Sequence, residues 1–225
     1  MPTTEQTAAR IVVAPDFGVW RNAEDSGVQR KILTDANGRT EDAAMFERFA
    51  PGARRAARDD PHGREIFVLE GSYADSSGRY PAGTYLRNPS GFENTGSSDE
   101  GCLLFVRRGD CAAADIARVV VDTASSSWHP GLVEGLKVMP LHAHGTEHVA
   151  LVDWQPGTFF QPHSHFGGEE ILVLAGEFAD EHGKYPAGTW ISSPHLSRHT
   201  PFSTKGCRIL VKTGHLATTA ATRVG

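Results

Sequence analysis

The 225-residue chain contains no run of 18 apolar residues, so no segment reads as a membrane-spanning helix and no membrane partner is expected. It has no basic block either. Lys and Arg number 22 against 27 Asp and Glu, a net charge of −5, which argues against nucleic acid as a partner. Cysteine is scarce: Cys102, Cys111 and Cys207 make an odd count without a CxxC pair, which excludes a disulfide framework and zinc-finger spacing. The opening residues MPTTEQTAAR lack the apolar stretch of a secretory signal, and with the cysteine usage this leads to the expectation of a cytoplasmic protein. Long helical periodicity is also missing, since no segment beyond about ten residues keeps a 3.6-residue apolar repeat. A composition of 39% hydrophobic and 22% charged residues is that of a folded globular chain, not a disordered one.

What the chain does have is a second copy of itself. At an offset of 105, EIFVLEG (65–71) recurs as EILVLAG (170–176), and Tyr80-Pro-Ala-Gly-Thr84 as Tyr185-Pro-Ala-Gly-Thr189. The same offset pairs Pro51-Gly52 with Pro156-Gly157, Asp75 with Asp180, Pro89 with Pro194 and Gly101-Cys102 with Gly206-Cys207. Upstream, Trp20 faces Trp128 once a three-residue loop difference is allowed. Each copy reads as short strands punctuated by Gly and Pro turns, which predicts an all-β chain of two tandem sandwiches or barrels. The polar stretch Asp122–Ser127 marks the boundary, giving residues 1–122 and 123–225; the small, polar tail 217–225 is expected to fray.

Histidine divides the copies. Of eleven, only His62 precedes residue 129. The second copy carries Pro156-Gly-Thr-Phe-Phe-Gln-Pro-His163-Ser-His165-Phe-Gly-Gly-Glu169-Glu170. Residues two apart on a strand face one side, so His163 and His165 point together, and a turn at Phe166-Gly167-Gly168 lets a carboxylate on the next strand meet them. His199 follows after a further turn and strand. Any one of these histidines alone reads as a surface or satisfied core residue; three with a carboxylate suit one divalent metal ion.

At these residues the sequence resembles the cupin superfamily. The first cupin motif, G-x5-H-x-H-x3–4-E-x6-G, is filled by Gly157, His163, His165, Glu169 and Gly176. In the second, G-x5-P-x-G-x2-H-x3-N, Gly188, Pro194 and His199 fit, while Leu196 replaces the inner glycine and Ser203 the asparagine. The wording EILVLAGEFADEHGKYPAGTW further resembles the cupin domain of ChrR-type anti-sigma factors and related cupin dioxygenases. The resemblance covers the second copy almost entirely and the first as a divergent partner. It implies a bicupin of two jelly-roll barrels, with His163, His165, Glu169 and His199 as ligands of a single ion, Fe(II) in an enzyme, or Zn, Mn or Ni. Glu170, on the opposite face and matched by Glu65 in the other copy, is assigned to structure.

The first copy sets Arg58, Asp60, Arg64 and Asn94 opposite the four ligands, so a plug of internal ion pairs is expected there, with Asp59 and His62 as weak alternative ligands. His142-Ala-His144-Gly-Thr-Glu147-His148 is rich in ligands but has the wrong spacing, and a surface loop is expected. Phe159 and Gln161 share the parity of His163, and Phe202, Trp190 and Ile171 are candidates to line the barrel; Arg198 and Arg208 are the nearby cations, with Arg198 facing outward.

Two function classes follow from the resemblance. One is a mononuclear non-haem dioxygenase that cleaves a C–C bond in a small diketone or hydroxyketone substrate. The other is a metal-binding sensor or binding module; the HxxxCxxC segment that grips a sigma factor in ChrR-type proteins has no counterpart in this chain. A homodimer is compatible with either.

Overall fold

The computed structural model describes residues 9–35, 43–93, 95–109 and 111–216, apart from the side chains of Thr34, Asp35 and Asp59. Asn94 and the tail 217–225, singled out above, lie outside the described residues. Among the described residues there is no α-helix, and none is therefore long and apolar enough to cross a membrane.

Two sheets carry the chain, and their strand orders match position for position. In the first, Val119–Asp122 is followed by Thr84–Asn88, Arg64–Asp75, Cys102–Arg108, Ala43–Phe49, Val28–Asp35 and Arg21–Asn22. In the second, Ile11–Val13 is followed by Trp190–Ser193, Glu169–Asp180, Cys207–Thr213, Glu147–Trp154, Leu136–His144 and His129–Pro130. All pairings are antiparallel. The central strands Arg64–Asp75 and Glu169–Asp180 begin with five consecutive buried residues, because a layer covers each of their faces there.

Each sheet curls around its own apolar interior. Val28, Met45, Phe49, Ile66, Val68, Leu86, Leu104 and Val106 fill the first. Trp154, Ile171, Val173, Phe178, Ile191 and Ile209 fill the second. The bend depends on a repeated glycine. Pairing of Glu169–Asp180 with Cys207–Thr213 slips between Val173 and Ala175, and a Cβ on Gly176 would stand 2.1 Å from the Gly206 carbonyl oxygen. Gly71 meets Gly101 at the same 2.1 Å in the first copy. No side chain fits either crossing, which explains why this glycine recurs at the offset of 105.

The division into halves differs from the single cut expected after residue 122. One unit is Gly18–Ser126; the other joins the segment up to Phe17 with the chain from Ser127 onward. Ile11–Val13 leads the first repeat yet pairs with Trp190–Ser193 of the second, with Val12 opposite Ile191. Val119–Asp122 leads the second repeat yet pairs with Thr84–Asn88 of the first, with Val120 opposite Leu86. The repeats have exchanged their leading strands. Neither strand's sequence says which of two near-identical edges it completes, so the exchange was not legible before the structure.

Candidate metal centre

His163 and His199 sit directly opposite one another where His163–Ser164 pairs with Arg198–His199. The chain then passes His165 and turns back through Gly167 and Gly168, both at positive φ (72° and 70°), a conformation most side chains resist. That turn delivers Glu169 as the first residue of the long strand. Three Nε2 atoms consequently converge: His165 lies 3.2 Å and His163 3.3 Å from His199. The Glu169 carboxylate closes the group, with Oε1 3.3 Å from His165 Nε2 and Oε2 3.5 Å from His199 Nε2. Two ligands of one ion at bond lengths of about 2.1 Å, separated by 90–110°, lie about 3.0–3.4 Å apart. The observed spacings have the dimensions of a coordination shell.

The electrostatics agree. Burial lowers the His163 pKa, and burial together with His163 and His199 lowers that of His165 to about 4. At neutral pH these rings are uncharged and present lone pairs, the form that binds a metal. Glu169 is buried, and burial pushes its pKa up to about 7. Its Oε2 is a buried acceptor that receives no hydrogen bond. Lone pairs aimed at one another and an unsatisfied buried carboxylate oxygen repel unless a cation stands between them, so these residues fit a divalent ion.

Groups behind the ligands hold them. The Nδ1 of His163 donates to the Gln161 carbonyl at 3.0 Å, which leaves its Nε2 lone pair for the centre. The Phe160 ring packs edge-on at 4.9 Å from the His163 ring. Asp180, with its side chain fully buried, places Oδ2 3.7 Å from Nδ1 of His199. A cavity of about 530 Å³ adjoins His199, lined also by Arg10, His182, Tyr185, Ser193 and Arg198.

Several expectations are corrected. Phe159 does not line the barrel: it is 60% exposed and stacks on Phe202, because the short strand Thr158–Phe159 ends before His163 and parity does not carry across the break. Gln161 is exposed for the same reason, and its backbone rather than its side chain serves the centre. Trp190 is buried opposite Leu172, outside the interior cluster, while its neighbour Ile191 packs with Ile171 inside. Arg208 lies over the Trp128 ring and pairs with Asp153. The segment from His142 to His148 is a β-hairpin end and not a loop, with His144 opposite Glu147. Among the described residues only His163, His165 and His199 form a cluster of the ligating kind.

Other readings stand. Arg198 is exposed, beside an inward, buried His199. Glu170 is buried 3.5 Å from the buried His215, on the far side from the centre. Burial raises the Cys102 and Cys207 thiols to about 11, so they behave as small core residues. Ser203, standing for the motif's asparagine, donates to the Glu177 carbonyl at 2.7 Å, and Ser98 makes the same 2.7 Å bond to Ser72 in the first copy. Leu196, standing for the motif's glycine, adopts that glycine's left-handed conformation at φ 59°.

The first barrel holds charge pairs at the corresponding place. Arg64 donates to Asp60 from Nε at 2.6 Å, both buried, and Arg58 reaches Asp25 at 3.0 Å. Glu47, which sequence reasoning did not single out, anchors the group with Arg30 at 2.7 Å and Arg55 at 2.8 Å. Burial opposes its ionisation, but Arg55, Arg64 and Arg30 outweigh that and lower its pKa to about 2. His62 is exposed.

The family model described as the ChrR cupin-like domain matches twice, over residues 8–112 and 116–217. The chain belongs to this family. Its fold is shared with solved structures of low sequence identity. A candidate dioxygenase of Nostoc punctiforme superposes with a TM-score of 0.78 at 12% identity, covering 98% of this chain and 86% of that one. The protein Ylba of E. coli gives 0.73 at 13%, covering 96% and 97%. Oxalate decarboxylase of Lactobacillus farciminis, solved as its formate complex, gives 0.67 at 15%, covering 95% and 88%. No curated protein matches the chain. Both repeats of this cupin chain therefore carry the family's fold, and the three-histidine cluster sits in the second.

Proposed function

We propose that this cupin chain is a metal-dependent enzyme: its second barrel holds one divalent ion on His163, His165, Glu169 and His199 and serves as a mononuclear non-haem dioxygenase. The substrate class is a small diketone or hydroxyketone whose C–C bond is cleaved, with Fe(II) as the ion. The carrying observation is the convergence of three imidazole Nε2 atoms at 3.2–3.3 Å beside a buried carboxylate oxygen that receives no hydrogen bond. When bound, the ion would supply Lewis-acid polarisation of a substrate with two neighbouring oxygens and redox chemistry toward dioxygen. The chain supplies position. Gln161 fixes the His163 tautomer, and the half-buried Phe160 gives the substrate skeleton an apolar wall beside His163. The fold likeness to a candidate dioxygenase supports this reading, although fold alone does not carry a reaction.

Protein made in iron-supplemented medium should contain about one iron per chain, and it should consume dioxygen one for one with substrate across a panel of diketones and hydroxyketones. Chelation should abolish uptake and added Fe(II) restore it. Changing His163 and His165 together to Ala should empty the site, since two remaining ligands compete poorly with water, whereas His142→Ala should leave metal content unchanged. Unchanged metal in the double variant would overturn the ligand assignment. The family description favours a second reading, a metal-binding ChrR-like module without catalysis. Zinc filling the site under iron-rich growth, with no oxygen uptake on any compound of the panel, would decide for it.

A further inference from the structure

We propose that Asp180 is a positioning residue for the metal centre, and that Arg10, brought in by the exchanged leading strand, holds Asp180 in place. This rests on the metal reading above. The Asp180 side chain is fully buried and its two oxygens divide their work. Oδ1 accepts from the Tyr185 hydroxyl and from the backbone N–H of His182, each at 2.9 Å. Oδ2 accepts from Arg10 Nη2 at 2.6 Å and faces Nδ1 of His199 at 3.7 Å. The last contact is longer than a direct hydrogen bond and acts through the field of the ionised carboxylate. A negative charge facing Nδ1 favours the imidazole tautomer with its proton there. The Nε2 lone pair then points at His163 and His165, as a ligand requires.

The first copy shows what the same set does without a centre. Arg118 donates to Asp75 Oδ2 at 2.6 Å, Tyr80 donates to Asp75 Oδ1 at 2.9 Å, and the Arg118 guanidinium lies 5.5 Å from the Tyr80 ring centroid. In the second copy Arg10 lies 5.3 Å from the Tyr185 ring centroid. Arg10 and Arg118 each lie just ahead of an exchanged strand, so both sets tie that strand to the hairpin at the end of the long central strand. Only the second set also faces an imidazole, because at the position of His199 the first copy has Asn94. The fold needs the Arg–Asp–Tyr set in both copies; the histidine contact is the addition that serves the centre.

Asp180→Asn and Asp75→Asn remove equivalent partners from the two barrels, and so separate a general loss of stability from an effect on the centre. In metal-stripped protein at pH 7.5, nitrogen-15 NMR of the imidazoles should show His199 protonated at Nδ1 in the parent and in Asp75→Asn. In Asp180→Asn it should shift toward the Nε2-protonated form. The zinc dissociation constant, measured by competition with a chelator, should rise 10- to 100-fold in Asp180→Asn alone. Should Asp180→Asn fail to fold, Arg10→Gln compared with Arg118→Gln carries the same test, with a rise of a few-fold expected only in the first. An Nε2-protonated His199 in the parent would overturn the proposal. So would equal zinc affinity in the members of a pair, with the His199 tautomer unchanged. If the parent takes up no zinc or iron at all, the metal reading fails, and the tautomer comparison still decides whether Asp180 orients His199.

Discussion

Replacing Glu169 with Gln should stabilise the metal-stripped protein while abolishing its response to metal. Burial raises the Glu169 pKa from 4.5 to about 7, so the folded chain keeps this proton over a pH range in which the unfolded chain has lost it. Stability therefore falls as pH rises from about 4.5 to about 7, and the penalty is complete above that window. For a fully buried carboxylate a displacement of this size is worth about 3 kcal/mol. In a barrel of this size that corresponds to roughly 10 °C in melting temperature. Gln has nearly the same shape and carries no charge to desolvate, and its NH2 group can donate to the Nε2 of either His165 or His199, which flank the two carboxylate oxygens. Thermal melts of stripped parent and variant from pH 5 to 8.5 should coincide at the acid end. They should diverge through neutrality, with Glu169→Gln the more stable at pH 8. Zinc should raise the melting temperature of the parent at pH 8 and leave the variant nearly unmoved. Parallel curves, or a less stable variant at pH 8, would refute the reasoning.

The other buried glutamate should behave oppositely. Burial works against the Glu47 anion, but Arg55, Arg64 and Arg30 bring its pKa down to about 2, so its contribution is present above about pH 4.5 and lost as pH falls toward 2. Glu47→Gln should cost about 3–5 kcal/mol in urea unfolding at pH 7 by depriving Arg55 and Arg30 of their carboxylate, and a variant as stable as the parent would contradict the pairing. Leu196→Gly should stabilise by about 1 kcal/mol in a thermal melt, because a residue without a Cβ adopts φ 59° without strain; a loss would show that the exposed leucine does something else. Residues 123–225 produced alone lack the strand Ile11–Val13 and Arg10, and should gain protection from proteolysis when a peptide covering residues 9–17 is added. A fragment equally resistant without the peptide would contradict the exchange.

The sequence carried the duplication, the barrel class and the cluster of His163, His165 and His199, because each is written in spacing: a repeat at fixed offset, a period of two for His163 and His165, and a glycine turn that brings Glu169 beside them. Its failures share a different cause. Phe159 and Gln161 are placed by extending strand parity, and parity holds only along an unbroken strand. Asp180 and Arg10 are 170 residues apart, and no local pattern announces that one supports the other. Glu47 lies on a strand whose residues Ala43, Ala44, Met45, Phe46 and Phe49 are core, and its arginine partners at 30, 55 and 64 come from separate segments. Sequence reasoning found residues that work with close neighbours. It missed those whose partners are brought to them by the topology.

The two interiors answer one electrostatic problem in opposite ways. Both barrels place ionisable groups in the space enclosed by their sheets, where an unpaired charge is costly. In the first, Arg64 occupies the place of Glu169 and Asp60 that of His165, and the arginines at 30, 55 and 64 complete a set of pairs with Glu47 and Asp60. Its charges are balanced by the chain's own side chains, and the anchoring carboxylate is held ionised. In the second, no arginine reaches Glu169 within ion-pair distance among the described residues, its neighbours are imidazole nitrogens, and burial pushes the carboxyl toward neutrality. A directly paired positive charge is missing beside Glu169 and built in beside Glu47. A cation from solution would meet the first need and be repelled in the second, so arginine at position 64 would by itself oppose a metal ion in the first barrel. Changing Arg64 to Glu would restore the carboxylate but leave it with Asp60 and Glu47 and without imidazoles. The expected result is a destabilised barrel that still takes up no zinc, and zinc binding by that single change would show that the Arg64 charge alone, not the missing imidazoles, was the obstacle.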